Sequence, residues 1–286
     1  MATQKIGFIG LGAMGFPMAR NLIENGFHVN IAVHRNRHPV DVLRDKGAME
    51  YPTVAEIISH SDVIISILPT DKEMQAVLLS DSVLEQLSAD KILIEMTSGS
   101  PDMMKKVNET YQAKGTRVLD APVSGGTAGA EQGTLTVMTG GESGLLDEVR
   151  HVLDAMAKNI YLVGPIGAGK AIKAINQMLA GIHMIASAEA VSLAKKLNVD
   201  MESVREVIGN SSGASWMLMN KLDTLIDENY EPGFKLKLMR KDVQIAVDEG
   251  NTNVLPLGAL ALQLYKMAEK TDAEMDFAAI SKYISN

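Results

Sequence analysis

Gly10-Leu11-Gly12-Ala13-Met14-Gly15 is spaced as G-x-G-x-x-G, between a β-forming run and a helical run. That context gives the pattern its chemical meaning. The first glycine permits a tight turn, the second lets a pyrophosphate approach the backbone, and the third lets helix and strand pack closely. The helix N-terminus then offers unpaired N–H groups and a partial positive charge to the phosphates. Gly10, Leu11, Gly12, Ala13, Met14 and Gly15 are therefore candidate contacts for a dinucleotide; the alternative is a glycine-rich turn without a ligand. The second strand ends Val33-His34-Arg35-Asn36-Arg37, with no Asp or Glu where a ribose 2′-hydroxyl usually finds one. Arg35 suits a 2′-phosphate through its charge and paired donors. NADP(H) is favoured over NAD(H) on this ground, the alternative being an exposed basic turn.

A second group lies far along the chain. Lys170, Lys173, Asn176 and Gln177 have spacings of three and four, so Lys173 shares a helix face with Asn176 and Gln177. One titratable amine would stand beside two amides able to hold a hydroxyl or carboxylate. Proximity to the helix N-terminus and partial burial both disfavour the ammonium, pushing Lys173 toward an acid/base range. From spacing alone, a polar seam between domains fits equally well. Gly164-Pro165-Ile166-Gly167-Ala168-Gly169-Lys170 also satisfies G-x-x-x-x-G-K, but Ala171 stands where a phosphate loop needs Ser or Thr for magnesium.

The elements that must position these groups follow from periodicity. Strands are predicted at 5–10, 28–33, 62–68, 91–96, 117–121, 134–138 and 160–163. Helices are predicted between them at 14–25, 40–46, 54–59, 71–79, 101–114 and 143–157. Such alternation calls for a parallel sheet with helices on both faces. After Gly164 no β-rich run appears, and helical periodicity continues to the end. The predicted fold is α/β: an N-terminal Rossmann doubly wound sheet (residues 1–163), then an all-α C-terminal domain (164–286). A long interdomain helix, from about Ala168 to Leu197, joins them. Being apolar on more than one face, it is expected to be buried between domains or subunits.

Composition narrows the function by exclusion. The 286 residues include no cysteine, which removes disulfides, thiol catalysis and cysteine-ligated metals. With 27 Lys+Arg against 35 Asp+Glu, the net charge of −8 argues against a nucleic-acid binder. The six histidines show no H-x-H or H-E-x-x-H spacing, so no metal site is expected. No G-x-S-x-G segment follows a predicted strand, so no elbow marks a serine nucleophile. The apolar N-terminus holds four glycines by Gly15 and then Pro17, reading as strand and turn rather than an export signal. Asn176, Gln177, His183 and Glu189 interrupt the membrane-length segment 174–194, so a cytoplasmic protein without a membrane span is expected.

Along its whole length the chain resembles the β-hydroxyacid dehydrogenases. The resemblance rests on Phe8-Ile9-Gly10-Leu11-Gly12-Ala13-Met14-Gly15 with Pro17-Met18-Ala19, and on Asp120-Ala121-Pro122-Val123-Ser124-Gly125-Gly126. Gly129-Ala130, Gly133-Thr134-Leu135, the helix positions Gly167, Gly169, Lys173, Asn176 and Gln177, and the late Phe234 and Lys241-Asp242 complete it. It implies that Lys173 is the catalytic lysine, handing a proton to the carbonyl in reduction and removing it in oxidation. Ser124, Gly125 and Gly126 would hold the substrate carboxylate, a hydroxyl and glycine amides making an anion cradle without bulk. Asn176 and Gln177 would place the substrate, while Leu68, Pro69, Thr97 and Lys241 would contact the cofactor.

The implied activity is hydride transfer between nicotinamide and a small hydroxy acid or semialdehyde carboxylate, as in tartronate semialdehyde (2-hydroxy-3-oxopropionate) reductases. The alternative within the class is NAD-linked oxidation of a 3-hydroxyisobutyrate- or L-threonate-like acid. Leu179–His183 and Ser215-Trp216-Met217 look similar to the threonate branch. Outside the class, the alternative is a non-catalytic dinucleotide-binding module. A homodimer or homotetramer is expected. His183, about 15 Å along the helix from Lys173, reads as a packing or interface residue; Trp216 reads as pocket wall or core.

If Arg35 reads the 2′-phosphate, Arg35→Ala raises the KM for NADPH at least about tenfold and leaves that for NADH nearly unchanged. Equal losses with both cofactors in steady-state assays would show that the phosphate is read elsewhere.

Overall fold

The computed structural model describes residues 4–33, 36–251 and 253–284. The chain gathers into two compact units, Met1–Lys173 and Ala174–Asn286. The first contains strands β1 (Lys5–Ile9), β2 (His28–Ile31), β3 (Met49–Glu50), β4 (Val63–Ser66), β5 (Ile92–Glu95), β6 (Arg117–Asp120), β7 (Val123–Ser124), β8 (Leu135–Gly140) and β9 (Ala157–Gly164). Its helices are α1 (Gly15–Glu24), α2 (His38–Asp45), α3 (Val54–Ser59), α4 (Asp71–Leu78), α5 (Asp81–Leu84), α6 (Pro101–Gln112), α7 (Gly126–Gln132) and α8 (Ser143–Asp154).

The strands are ordered β3-β2-β1-β4-β5-β6-β8-β7, with β9 paired to β8. Every residue of β4 and β5 is buried, as both faces of a parallel sheet must be. Alternation sends Val63, Ile65, Ile92 and Ile94 into one apolar core and Ile64 and Leu93 into another. Thr53, Thr70 and Ser100 cap α3, α4 and α6 through their side-chain oxygens, so these helices begin where the sequence supplies an acceptor.

The parallel sheet predicted from alternation holds from β3 to β6. Beyond that, β8 runs antiparallel to β6 and β7, so the sheet is mixed. Only residues 125–134 separate β7 from β8, too few for the crossover that parallel strands need. Residue pairs as short as β3 and β7 carry no readable periodicity, and neither is predicted.

The second unit is helical. α9 (Ala168–Lys196) begins in the first unit and runs on into the second. α10 (Met201–Ser203), a π turn at Val204–Ile208, α11 (Trp216–Asp227), α12 (Leu236–Gly250), α13 (Pro256–Asp272) and a closing 3₁₀ segment (Phe277–Tyr283) follow. Leu218, Leu222 and Leu225 of α11 share a core with Met239 and Val243 of α12, Leu262 and Tyr265 of α13, and Met184 and Val191 of α9. A Cβ at Gly181 would lie 2.9 Å from Val243 Cγ2 and 3.3 Å from the Tyr265 ring. The Tyr265 hydroxyl donates to Gly181 O at 3.2 Å, so the missing side chain is what lets α9 and α13 close together.

α9 is not enclosed on all sides in the single chain. Ile172, Ile175, Leu179 and Leu193 are exposed in the single chain, because one stripe of the helix satisfies the core. Trp216 is 64% exposed and His183 is also exposed, so neither is a core residue.

Leu222 is fully buried. Leu222→Ala should cost about 2–5 kcal/mol, read as a lower urea midpoint; a loss below about 1 kcal/mol would contradict the packing described.

Candidate active site

The strand order reverses between β1 and β4, and the C-terminal ends of β1, β4 and β5 lie side by side there. Ligands of open α/β sheets bind at such a switch point. Gly10-Leu11-Gly12-Ala13-Met14-Gly15 links β1 to α1 at this place. Gly10 has φ +102°, and a Cβ on it would lie 2.1 Å from Ile67 O. A Cβ on Gly15 would overlap Gly10 O, so Gly10 and Gly15 serve the packing of the turn itself. Gly12 differs: a Cβ there meets nothing within 4 Å. Its bareness leaves room on the outer side of the turn, where a pyrophosphate would approach. The first turn of α1 carries no acidic residue, so its positive end is open to an anion. These features fit a dinucleotide.

Leu68 and Thr97 follow β4 and β5. The Leu68 N–H donates to Thr97 Oγ1 at 2.8 Å, joining the two strand ends, and Pro69 follows directly. Ser124 ends β7, and Gly125 and Gly126 turn into α7 with φ of +132° and +62°. Left-handed backbone at two successive residues is a glycine conformation. α7 is fastened to the fingerprint helix: Asn21 Nδ2 donates to Ala130 O at 2.8 Å and Arg20 Nη2 to Glu131 O at 3.0 Å. The Ser-Gly-Gly turn and the fingerprint thus belong to one rigid layer.

Arg35 lies outside the described residues. Its neighbour Arg37 is engaged: its guanidinium forms paired bonds with Glu50 at 2.5 and 2.8 Å and a bond with Asp41 at 2.9 Å. Glu50 first, then Asp41, hold the guanidinium pKa above its ordinary value. Glu50 ends a strand of two residues, and no sequence pattern reveals that it would take up Arg37.

Lys173 is the last residue of the first unit and is 7% exposed. Asn176 and Gln177 follow on the next turn of α9, in the second unit. Asn176 Nδ2 donates to Gln177 Oε1 at 3.0 Å, and Gln177 Nε2 donates to Asp242 Oδ2 at 2.8 Å. Lys241 Nζ lies 2.9 Å from Asp242 Oδ1. Asp242, 1% exposed, therefore ties Gln177 to Lys241 within the second unit. The sequence shows it only as the neighbour of Lys241; that it accepts from Gln177 while pairing its charge with Lys241 appears from the fold.

The first turn of α9 rests on buried charge. Asp120 Oδ2 accepts the N–H groups of Gly167 and Lys170, each at 3.1 Å. In a capping box, side chains at the N-cap and third helical positions satisfy these two amides. Gly167 and Lys170 cannot, and a carboxylate from the end of β6 takes their place. Lys170 Nζ reaches Glu95 Oε2 at 2.5 Å and Glu95 O at 3.1 Å. It also lies 3.2 Å from Asp120 Oδ1, as an ion pair off the hydrogen-bond direction. Burial alone would lower the Lys170 pKa; Glu95 and Asp120 outweigh it and hold the ammonium above its ordinary value. A lysine so enclosed has no access to a phosphate, which closes the phosphate-loop reading of residues 164–170. The sequence marks Lys170 as part of the lysine helix and of the G-x-x-x-x-G-K spacing, and gives no sign of Glu95.

Known proteins resemble this chain over nearly its whole length. Residues 5–164 match the family described as the NAD binding domain of 6-phosphogluconate dehydrogenase. Residues 167–284 match the NAD-binding domain of NADP-dependent 3-hydroxyisobutyrate dehydrogenase. The chain is 34% identical to an NAD-dependent L-serine dehydrogenase of Pseudomonas aeruginosa, covering 98% of this chain and 97% of that protein. It is 35% identical to a 3-hydroxyisobutyrate dehydrogenase of the same organism, covering 97% of each. The solved structure of Mycobacterium tuberculosis 3-hydroxyisobutyrate dehydrogenase with L-serine superposes with a TM-score of 0.90 at 30% identity, covering 99% of this chain and 100% of that one.

The glycines of the fingerprint separate by role, and that separation is testable. Gly12→Ala should leave the melting temperature unchanged and weaken dinucleotide binding at least about tenfold, because its side chain enters ligand space and no protein atom. Unchanged affinity in a fluorescence titration would remove Gly12 from the site.

Proposed function

The chain belongs to the β-hydroxyacid dehydrogenase family, and from that premise we propose that it reduces a small semialdehyde carboxylate of the tartronate semialdehyde type with NADPH. It is an NAD(P)-dependent oxidoreductase acting on a CH–OH group. The observation that carries the proposal is Lys173, an almost enclosed amine on a helix whose first turn is fixed by buried charge.

The functional division follows residues 1–163 for the cofactor and 164–286 for substrate and assembly. Gly10 to Gly15 hold the pyrophosphate, and Leu68, Pro69, Thr97 and Lys241 complete the cofactor contacts. A dinucleotide bound there would supply hydride-transfer chemistry at the substrate carbon. Ser124 and the amides of Gly125 and Gly126 receive the substrate carboxylate, with both glycines leaving room for it. Asn176 and Gln177 orient the hydroxyl-bearing carbon, Gln177 being held by Asp242. Lys173 Nζ donates a proton to the carbonyl oxygen in reduction and takes it back in oxidation. Preference for NADPH rests on the absence of a carboxylate at the end of β2, and reduction is the direction a reduced NADPH pool drives. The exposed apolar residues Ile172, Ile175, Leu179 and Leu193 support assembly as a homodimer or homotetramer; a cytoplasmic location belongs to the same proposal.

A second reading is NAD-linked oxidation of a 3-hydroxyisobutyrate-, serine- or L-threonate-like acid. The engagement of Arg37 by Glu50 favours it, since one fewer guanidinium is free for a 2′-phosphate.

Steady-state assay of a panel of small hydroxy acids and semialdehydes with each cofactor separates the two readings. With a substrate so identified, Lys173→Ala should lower turnover at least about a thousandfold with little change in cofactor affinity. Near-normal turnover would end the lysine mechanism.

A further inference from the structure

Lys170, Glu95 and Asp120 are all fully buried, and the proton-transfer scheme above uses none of them. Their bonds run in two directions. Toward the strand ends, Glu95 Oε1 accepts the Thr97 N–H at 3.1 Å and the Ser66 hydroxyl at 3.3 Å. Thr97 Oγ1 in turn accepts the Leu68 N–H at 2.8 Å. Toward the helix, Glu95 Oε2 and the Glu95 carbonyl hold Lys170 Nζ, while Asp120 Oδ2 holds the amides of Gly167 and Lys170. One carboxylate, Glu95, therefore organises the cofactor-side strand ends with one oxygen and grips the first turn of α9 with the other. Lys173 stands one turn further along that helix, where i and i+3 side chains are neighbours.

The space for this contact is reserved by residues from separate elements. A Cβ on Gly169 would lie 2.4 Å from Met138 O and 2.9 Å from Asp120 Oδ2. A Cβ on Gly140 would lie 3.0 Å from Asp120 Oδ2 and 3.1 Å from Gly169 N. Any side chain at either glycine would push the helix start away from Asp120. Three buried charges are a poor source of stability, since an apolar set of the same volume often serves as well. What such a set provides is a defined geometry.

We infer that Lys170, gripped by Glu95 and Asp120, is a positioning residue that keeps Lys173 in register with the strand ends carrying Leu68 and Thr97. Lys170 touches neither substrate nor cofactor; it acts through Lys173. The inference rests on the reading of Lys173 as the proton-transferring group.

The test is a double-mutant cycle. Glu95→Gln combined with Lys170→Gln removes one cation and one anion together, leaves Asp120 on the helix amides, and keeps an acceptor for Thr97 and Ser66. Glu95→Gln with Lys170→Met, which preserves the side-chain stem, is the second variant should the first fold poorly. In the otherwise unaltered enzyme the pair should lower kcat about ten- to a hundredfold, the scale of a displacement near 1 Å. Cofactor affinity by fluorescence titration should stay within about threefold, because the amide oxygen introduced by Glu95→Gln retains the strand-end contacts. In a Lys173→Ala background the same pair should lower the residual turnover less than about twofold, since residues acting as a unit are non-additive. A general structural lesion would lower turnover by the same factor in both backgrounds, and equal factors would overturn the inference while leaving the role of Lys173 intact. Near-normal turnover of Lys173→Ala alone would overturn both.

Discussion

Lys170 carries its charge where water does not reach, and it can do so because Glu95 and Asp120 meet it from two strands. An ammonium buried without partners would give up its proton or force the surrounding structure open. With its partners present, the start of α9 is bound to the C-terminal ends of β5 and β6 by charge-assisted hydrogen bonds, which are short and directional. Much of the candidate site hangs on this junction. The strand ends supply Leu68 and Thr97, the helix supplies Lys173, and Glu95 touches the supports of both.

The same junction alters the electrostatics of the helix start. An isolated helix presents a positive end there. In this chain the carboxylate of Asp120 already occupies the amides of Gly167 and Lys170, so the dipole invoked for Lys173 from sequence is met by a full negative charge. α1 shows the opposite arrangement. Its first turn has no acid and no side-chain cap, and the bare backbone of Gly12 leaves access to it. One helix start is closed by protein charge and the other is open to a ligand, although both follow glycine-rich turns. That difference separates a phosphate site from a decoy better than either glycine pattern does.

Asp242 plays a comparable part in the second unit, collecting Gln177 and Lys241 on its two oxygens. Both units thus place a buried carboxylate behind the polar residues to which a role is assigned. Holding long side chains such as Lys and Gln in one rotamer opposes their entropy, and buried acceptors of this kind offset that loss.

What the sequence determined by itself was local. The alternation of apolar runs specifies β1, β4 and β5, their two-faced burial and the helices between them, because side-chain period follows directly from backbone geometry. The glycine spacing marks the turn after β1, and i, i+3 and i+4 spacing places Lys173, Asn176 and Gln177 on one helix. The tertiary structure decided everything that depends on residues meeting from afar. Glu95 and Lys170 are 75 positions apart, Asp120 and Gly167 are 47, and Gln177 and Asp242 are 65. No periodicity links such pairs. The antiparallel return of β8 and the capture of Arg37 by Glu50 are of the same kind: each is settled by which chain segments pack together. The opening glycines could be read as a binding turn from their spacing, but only the folded chain shows that Gly10 and Gly15 answer to the protein and Gly12 to open space, because that distinction depends on what stands opposite a missing side chain.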